Sequence, residues 1–229
     1  MSDNVSRRGF LGTAAATAAV FGVASEVGAE EAPGGGEAAK GIKIIAVNCS
    51  TRKGKSTAAA LQICLDAAKA VSPKIETQLI EVAGLKMDPP AQGQEDDWAP
   101  VVKAISDPQV AAIIVGSPVY YSNMSALCKV FLERWGSLRK TFALSNKVGG
   151  VVAVGGARNG GQEQTIRSIQ ATLMAHEMVV VGDGRQAAHQ GATLQSTKDD
   201  ISGDEWGINT AKGLGKRVAE VALKMSGVR

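Results

Sequence analysis

The chain of 229 residues is poor in aromatic residues, histidines and cysteines. Phe, Trp and Tyr together make up 4% of the sequence, and there are two histidines and three cysteines. Few aromatic residues leave few candidates for stacking against a ring-shaped ligand. Cys49, Cys64 and Cys128 are widely spaced and form no CxxC pair. They therefore predict buried thiols rather than a disulfide framework or a metal site.

The chain also has no strong net charge of either sign. The formal charge is +3, and basic and aromatic residues do not cluster together. A nucleic-acid-binding domain is expected to carry a concentrated basic surface, so the sequence predicts no nucleic-acid partner. The apolar share of 45% is instead typical of one soluble domain that buries its own core.

The first 40 residues differ from the rest of the chain. The pair Arg7-Arg8 precedes an uncharged run over residues 9–25, and small residues follow up to Ala29. This arrangement resembles a twin-arginine export signal, which predicts a signal peptide over residues 1–29 and a location outside the cytoplasm. The uncharged run is shorter than the roughly 20 residues of a membrane-spanning helix, so no stable membrane insertion is expected after cleavage. Residues 30–40 predict a flexible linker, and residues 41–229 one domain.

Strand and helix patterns alternate along that domain. The strand patterns lie at residues 42–47, 75–82, 110–115, 147–154 and 178–181. The helical patterns lie at residues 57–71, 97–104, 162–176 and 206–225, with a further helix for which Asn123 is the expected N-cap. Five strands alternating with five helices predict an α/β fold: a doubly wound, five-stranded parallel sheet in three α/β/α layers.

Three polar loops follow the first, third and fourth predicted strands. They cover residues 48–55, 117–123 and 155–162. Because the carboxyl ends of parallel strands meet at one edge of the sheet, we expect the three loops to form one ligand site. The first loop leads into a helix and offers hydroxyl groups at Ser50, Thr51, Ser56 and Thr57 and positive charge at Arg52, Lys53 and Lys55. Hydroxyl groups, cations and free N–H groups at a helix start predict a phosphate-binding loop.

Two other nucleotide sites share parts of this pattern. Residues 49–56, CSTRKGKS, match the P-loop pattern GxxxxGK[ST] except at Cys49, where that loop needs glycine. A triphosphatase also needs a magnesium-binding Asp after a central strand, and only Asp183 follows a strand, the fifth. A Rossmann dinucleotide site is disfavoured because GxGxxG is missing and residues 82–84 place no acid after the second strand. Both sites stay as alternatives.

The second and third loops carry a family resemblance. Residues 116–134, GSPVYYSNMSALCKVFLER, resemble the flavin-contacting loop and helix of the flavodoxin-like, NADPH-dependent FMN reductase family. The first loop, with Ser50, Arg52 and Ser56, is similar to the FMN phosphate loop of that family. Residues 155–163, GGARNGGQE, resemble the third flavin loop of its iron–sulfur flavoprotein branch. The resemblance extends over about residues 42–181, which is most of the predicted domain.

The resemblance implies a flavodoxin-like fold, an FMN cofactor and a set of FMN contacts in the three loops. The contacts expected at the phosphate are Ser50, Arg52, Gly54, Ser56 and Thr57. Those expected at the ring are Pro118, Val119, Tyr120, Tyr121, Ser122, Asn123 and Met124. Those expected in the third loop are Gly155 and Gly156, at the pyrimidine edge, and also Arg158 and Gly160. No catalytic side chain and no metal are expected, because the flavin carries the chemistry.

The resemblance also implies a reaction. It is hydride transfer from NAD(P)H to FMN, followed by reduction of a quinone, a free flavin or another small acceptor. The alternative is a non-enzymatic electron carrier of the flavodoxin type that serves a protein partner. Relatives in the family commonly pair, so a homodimer or higher homo-oligomer is expected. The loop after the second strand, residues 85–94, lacks the cysteines of the iron–sulfur branch, so no cluster is expected.

Overall fold

The structure is a computed structural model that describes residues 41–90, 96–185 and 187–228. The predicted signal peptide and linker lie outside these residues. Within the described ranges, no helix is both long enough and apolar enough to cross a membrane. The strands are β1 (Ile42–Asn48), β2 (Ile75–Glu81), β3 (Val110–Tyr120), β4 (Asn123–Met124), β5 (Val148–Gly155), β6 (Val179–Val180) and β7 (Ala192–Gln195). The helices are α1 (Ser56–Lys69), α2 (Trp98–Ser106), α3 (Ala126–Arg134), α4 (Gly136–Arg139), α5 (Gln162–Ala175) and α6 (Glu205–Met225).

The strands form one twisted sheet whose main order is β2-β1-β3-β5-β6. These five strands are parallel to their neighbours, which confirms the predicted doubly wound sheet. The order reverses between β1 and β3, because the chain winds outward from β1 in both directions. In such sheets the crevice at the carboxyl ends of the strands around the reversal is the usual ligand site.

The prediction of one strand at residues 178–181 was incomplete. Only Val179 and Val180 are in β6, which pairs with the first residues of β5. The chain then leaves the sheet and returns as β7, which pairs in parallel with the last residues of β5. Two short strands thus share the edge position beside β5. The segment ATLQ of β7 is too short to show a period that distinguishes it from a loop.

The core lies in two layers, one on each face of the sheet. Side chains alternate along β1, so Ile44 and Ala46 pack on one face, and Ile45 and Val47 pack on the other. The first face is covered by α1 and α6, and the second by α2, α3 and α5. This arrangement confirms the three-layer prediction and leaves the carboxyl edge of the sheet to the loops.

Candidate functional site

Three loops occupy the carboxyl edge of adjacent strands. The first loop (residues 49–55) follows β1, the second loop (residues 117–125) overlaps the end of β3 and contains β4, and the third loop (residues 155–162) follows β5. Since β1, β3 and β5 are neighbours in the sheet, the three loops stand side by side, as the sequence predicts.

Buried serines connect the first loop to the second. The Ser125 hydroxyl donates to the Cys49 carbonyl at 2.7 Å and accepts from the Cys128 N–H at 3.0 Å. The Ser117 hydroxyl accepts from the Ser125 N–H at 3.0 Å. Ser125, and not Asn123, is therefore the N-cap of α3. Asn123 pairs with Tyr120 in the β3–β4 hairpin, and its side chain accepts from the Met124 N–H.

The second and third loops touch at a glycine. Gly161 has φ of 101°, and a Cβ atom at this position would lie 2.5 Å from the Ser122 Cα. Ser122 and Tyr121 form the tip of the hairpin with φ of 62° and 49°, a conformation that costs non-glycine residues about 1 kcal/mol or more each. Strained backbone of this kind clusters at functional sites. All three loops are thus held together by direct contacts.

The start of α1 presents unused donors beside the first loop. Among the described residues, the N–H groups of Ser56, Thr57 and Ala58 have no acceptor, and the hydroxyl groups of Ser56 and Thr57 have no partner. Both side chains are otherwise buried. The helix dipole adds positive potential at this point. These donors fit a phosphate monoester, because it needs several hydrogen bonds and no metal.

An acid at the end of β2, which no sequence pattern marked, is bonded to the first loop. Glu81 accepts from Asn48 Nδ2 at 2.6 Å and from the Gly54 N–H at 3.1 Å. It ends β2, whereas the sequence placed the strand end at residue 82 and found no acid there. Gly54 has φ of 64°, which favours glycine. The Glu81 carboxylate is committed to the loop, which leaves the Rossmann alternative without its ribose-binding acid.

Ser50 and Arg52, two expected phosphate contacts, differ in their surroundings. The Ser50 side chain is buried, and its oxygen accepts from the Arg52 N–H at 3.2 Å. The Arg52 guanidinium reaches Asp199, in the segment after β7, at 2.5 Å, and Lys55 Nζ lies 3.9 Å from the same carboxylate. Asp199 therefore borders the predicted phosphate site, and no sequence signal marked it.

The second loop offers an exposed surface at its tip. Pro118 is buried and Val119 is half-buried, whereas the Tyr120 side chain is exposed and Tyr121 is fully so. Met124 is half-buried where it pairs with Val119. Exposed aromatic side chains next to extended backbone suit a flat ring ligand.

The conformation of the third loop is stabilised by Gln162, whose role no sequence pattern indicated. The buried Gln162 amide donates to the Ala157 carbonyl at 2.6 Å and accepts from the Gly160 N–H at 2.9 Å. A Cβ atom at Gly155 would lie 2.6 Å from Gln162 Nε2, whereas one at Gly156 would meet no atom within 4 Å. Gly155 is therefore required by the loop itself, and Gly156 is open to a ligand.

Arg158 turns away from the other two loops. Its Nη1 donates to the Thr193 carbonyl at 3.2 Å, and its Nη2 donates to Asp204. Asp204 also accepts from the N–H groups of Gln195 and Gly207, and it caps α6. The guanidinium thus joins the third loop to β7 and α6, and its charge is largely neutralised there.

Asp183, the acid that the triphosphatase alternative would need, is bonded within its own segment. Asp183 accepts from the His189 N–H at 2.6 Å, in the segment between β6 and β7, and not at the first loop. Burial raises the pKa of Asp183, which the bonds from His189 only partly offset. Within the described ranges, no three His, Cys, Asp or Glu residues stand together as metal ligands do.

The three cysteines lie on opposite faces of the sheet. Cys49 and Cys128 belong to the layer covered by α2, α3 and α5, whereas Cys64 belongs to the layer under α1 and α6. Burial raises the pKa of the Cys49 and Cys64 thiols, which keeps both protonated. A cysteine-held iron–sulfur cluster needs thiolates that converge, so these residues do not fit one.

The chain resembles known flavoproteins over most of its length. A family model described as NADPH-dependent FMN reductase matches residues 42–193. An iron–sulfur flavoprotein of Methanocaldococcus jannaschii is 37% identical over 189 residues, which cover 79% of this chain and 97% of that protein. An iron–sulfur flavoprotein of Methanosarcina thermophila is 36% identical over 182 residues, or 76% and 93% of the two chains. A solved WrbA-like flavodoxin from Agrobacterium tumefaciens has a TM-score of 0.56 at 18% identity and covers 80% of this chain and 98% of that one.

Proposed function

Because the chain belongs to the NADPH-dependent FMN reductase family and is an FMN-dependent oxidoreductase, we propose that it binds FMN across its three loops. In this proposal it passes electrons from NAD(P)H to a small acceptor such as a quinone or a free flavin. One observation carries the assignment of the site. Three loops on adjacent strands contact one another at Ser125 and Gly161, and the first of them leads into the start of α1, where N–H and hydroxyl donors have no partner.

Each loop has a distinct task in this proposal. The N–H groups of Ser56, Thr57 and Ala58, with the two hydroxyl groups, hold the phosphate. The hairpin tip at Tyr120 and Tyr121 borders the ring, and the open position at Gly156 lets the ring approach the backbone. When bound, FMN would supply the hydride and electron transfer. The protein would bind and orient the flavin and provide the electrostatic environment of its ring.

We propose that the chain carries out this reaction without an iron–sulfur cluster. The two curated relatives are named as iron–sulfur flavoproteins, but this chain has only three cysteines. They are divided between the two faces of the sheet, so they do not offer the four thiolates of a common cluster. An absorption spectrum of the purified protein is expected to show flavin bands alone.

Anaerobic mixing of the FMN-loaded protein with NADPH or NADH tests the proposed donor. The expected result is loss of the oxidised flavin absorbance with at least one nicotinamide, followed by its return when a quinone is added. If the flavin stays oxidised with both nicotinamides but is bleached by dithionite, the donor proposal is wrong. A flavodoxin-type carrier with a protein donor would then replace it.

A further inference from the structure

Asp199 faces the cations of the first loop from the segment after β7. Arg52 Nη1 donates to Asp199 Oδ1 at 2.5 Å, and Lys55 Nζ lies 3.9 Å from Oδ2. The loop has three cations, and the third, Lys53, is not paired with this carboxylate. The Asp199 carboxylate therefore engages two of the three charges that are available to a phosphate in this loop.

The backbone presents Asp199 in a fixed turn. Thr197 and Asp200 exchange two backbone hydrogen bonds, of 2.8 and 3.0 Å, around Lys198 and Asp199. Both turn residues have positive φ, 50° and 66°, which is uncommon for residues other than glycine. Strained backbone persists where the surrounding structure holds it in place, and it is often functional.

One core contact and one local pair of hydrogen bonds stabilise this turn. Ile201, next to it, is buried in the core layer under α1 and α6. The Asp200 carboxylate accepts from the Ser202 N–H at 2.9 Å and from its hydroxyl at 2.5 Å. The turn that carries Asp199 is thus stabilised by contacts other than its ion pair with Arg52.

The ion pairs themselves are easily exchanged. The Arg52 and Lys55 side chains are about half exposed, at 51% and 50%, and Asp199 is 35% exposed. Exposed ion pairs of this kind contribute little to stability, because water and salt screen them. A phosphate dianion held by the N–H groups at the start of α1 is a stronger partner for the same cations.

We propose that Asp199 sets the affinity and specificity of the first loop for the FMN phosphate. Its carboxylate competes with the phosphate for Arg52 and Lys55, and it repels the dianion when both are close. This inference rests on the proposed FMN site. FMN is therefore bound less tightly than the cations alone would allow, while riboflavin, which has no phosphate, is unaffected.

The test is a titration of flavin fluorescence with apoprotein, using FMN and riboflavin as separate ligands. Asp199→Asn is the informative variant, because Asn has the same shape and tolerates positive φ equally well. The expected result is about tenfold tighter binding of FMN with no change for riboflavin, since one charge facing a dianion accounts for about that factor. The gain is expected to shrink as ionic strength rises.

Asp66→Asn is the matched control, because it makes the same change in net charge at an exposed position near the other end of α1. It is expected to leave both affinities unchanged. If Asp199→Asn weakens FMN binding or leaves it unchanged, or shifts both ligands alike, the inference is wrong. If the wild-type protein binds FMN no better than riboflavin, the proposed phosphate site fails first, and the inference fails with it.

Discussion

Gly155 and Gly156 are neighbours, but they are glycine for different reasons. At Gly155 a Cβ atom would collide with the Gln162 amide, which holds the third loop in shape. A Cβ atom at Gly156 would meet no protein atom within 4 Å, and the residue is exposed. The first glycine therefore serves the fold, whereas the second leaves room for a ligand.

Gly156→Ala separates these two roles. The added methyl group meets no protein atom, so the thermal midpoint is expected to stay within about 2 °C of the wild type. FMN binding is expected to weaken by roughly tenfold or more, because one methyl group in a fitted site has an effect of that size. Flavin fluorescence titration and thermal unfolding measure the two quantities. Gly136→Ala is the control, since its Cβ also meets no atom and it lies away from the loops. Unchanged FMN binding in Gly156→Ala would remove Gly156 from the site.

At the scale of elements, Asp204 joins the third loop, β7 and α6. It accepts from Arg158, from the Gln195 N–H at 2.7 Å and from the Gly207 N–H at 3.0 Å. Burial alone would raise the pKa of Asp204, but these three donors outweigh it, so the pKa is lowered. A carboxyl group with a lowered folded-state pKa stabilises the protein above its unfolded-state pKa of about 3.9. That stability is lost as the pH falls through the folded-state value.

Asp204→Asn is therefore expected to lower the free energy of unfolding by about 2 kcal/mol at pH 7, because the amide is neutral and has one acceptor oxygen where the carboxylate has two, so the N–H donors around it lose a partner. The ion pair with the partly exposed Arg158 contributes the smaller part, because solvent screens it. The difference from the wild type is expected to narrow as the pH falls below about 4, because the carboxyl group of the unfolded chain is protonated there, whereas the folded-state group, with its lower pKa, is protonated only at a lower pH. Urea unfolding of both proteins at pH 7 and pH 3.5 measures this difference in the free energy of unfolding. An equal difference at both pH values would contradict the role given to the charge.

The close packing of α1 against α6 depends on the absence of a side chain at Gly215. A Cβ atom at this position would lie 2.0 Å from the Cys64 carbonyl oxygen. Gly215→Ala gains up to about 1 kcal/mol of helix propensity, but it forces the two helices apart. We expect a net loss of about 1–3 kcal/mol in the free energy of unfolding. Gly136→Ala, at the start of α4, gains propensity without a clash and is expected to be neutral or slightly stabilising. A stabilised Gly215→Ala protein would show that the helices move apart freely.

The sequence predicted the parallel sheet, the three layers and the three loops, because long apolar strands and polar loops leave local patterns. It did not predict the contacts that fasten the loops. Arg52 and Asp199 are 147 residues apart, and nothing local to either residue indicates their pairing. Ser125 and Asn123 both suit a helix start, and the β3–β4 hairpin decides between them by using Asn123. Glu81 was overlooked because the end of β2 was placed one residue too late.

At the scale of the whole molecule, the two faces of one sheet carry the core, and the carboxyl edge of that sheet carries the candidate site. The family model matches residues 42–193, which is most of the domain, and the candidate site lies at the reversal of strand order. The signal peptide at residues 1–29, the linker at 30–40 and the homo-oligomer stay predictions. We propose export by the twin-arginine route, on the strength of the Arg7-Arg8 pair and the uncharged run after it.

The central claim is that the first loop and the start of α1 bind the FMN phosphate. The most direct measurement is the dissociation constant of FMN and of riboflavin for the wild-type apoprotein and for Thr57→Val. We predict that the wild type prefers FMN, and that Thr57→Val weakens FMN binding about 10- to 100-fold while riboflavin binding stays the same. A hydroxyl group bonded to a charged phosphate accounts for that loss. Thr172→Val, on α5, is the matched control. Equal affinities of the wild type for the two flavins, or an equal loss of both in Thr57→Val, would contradict the account.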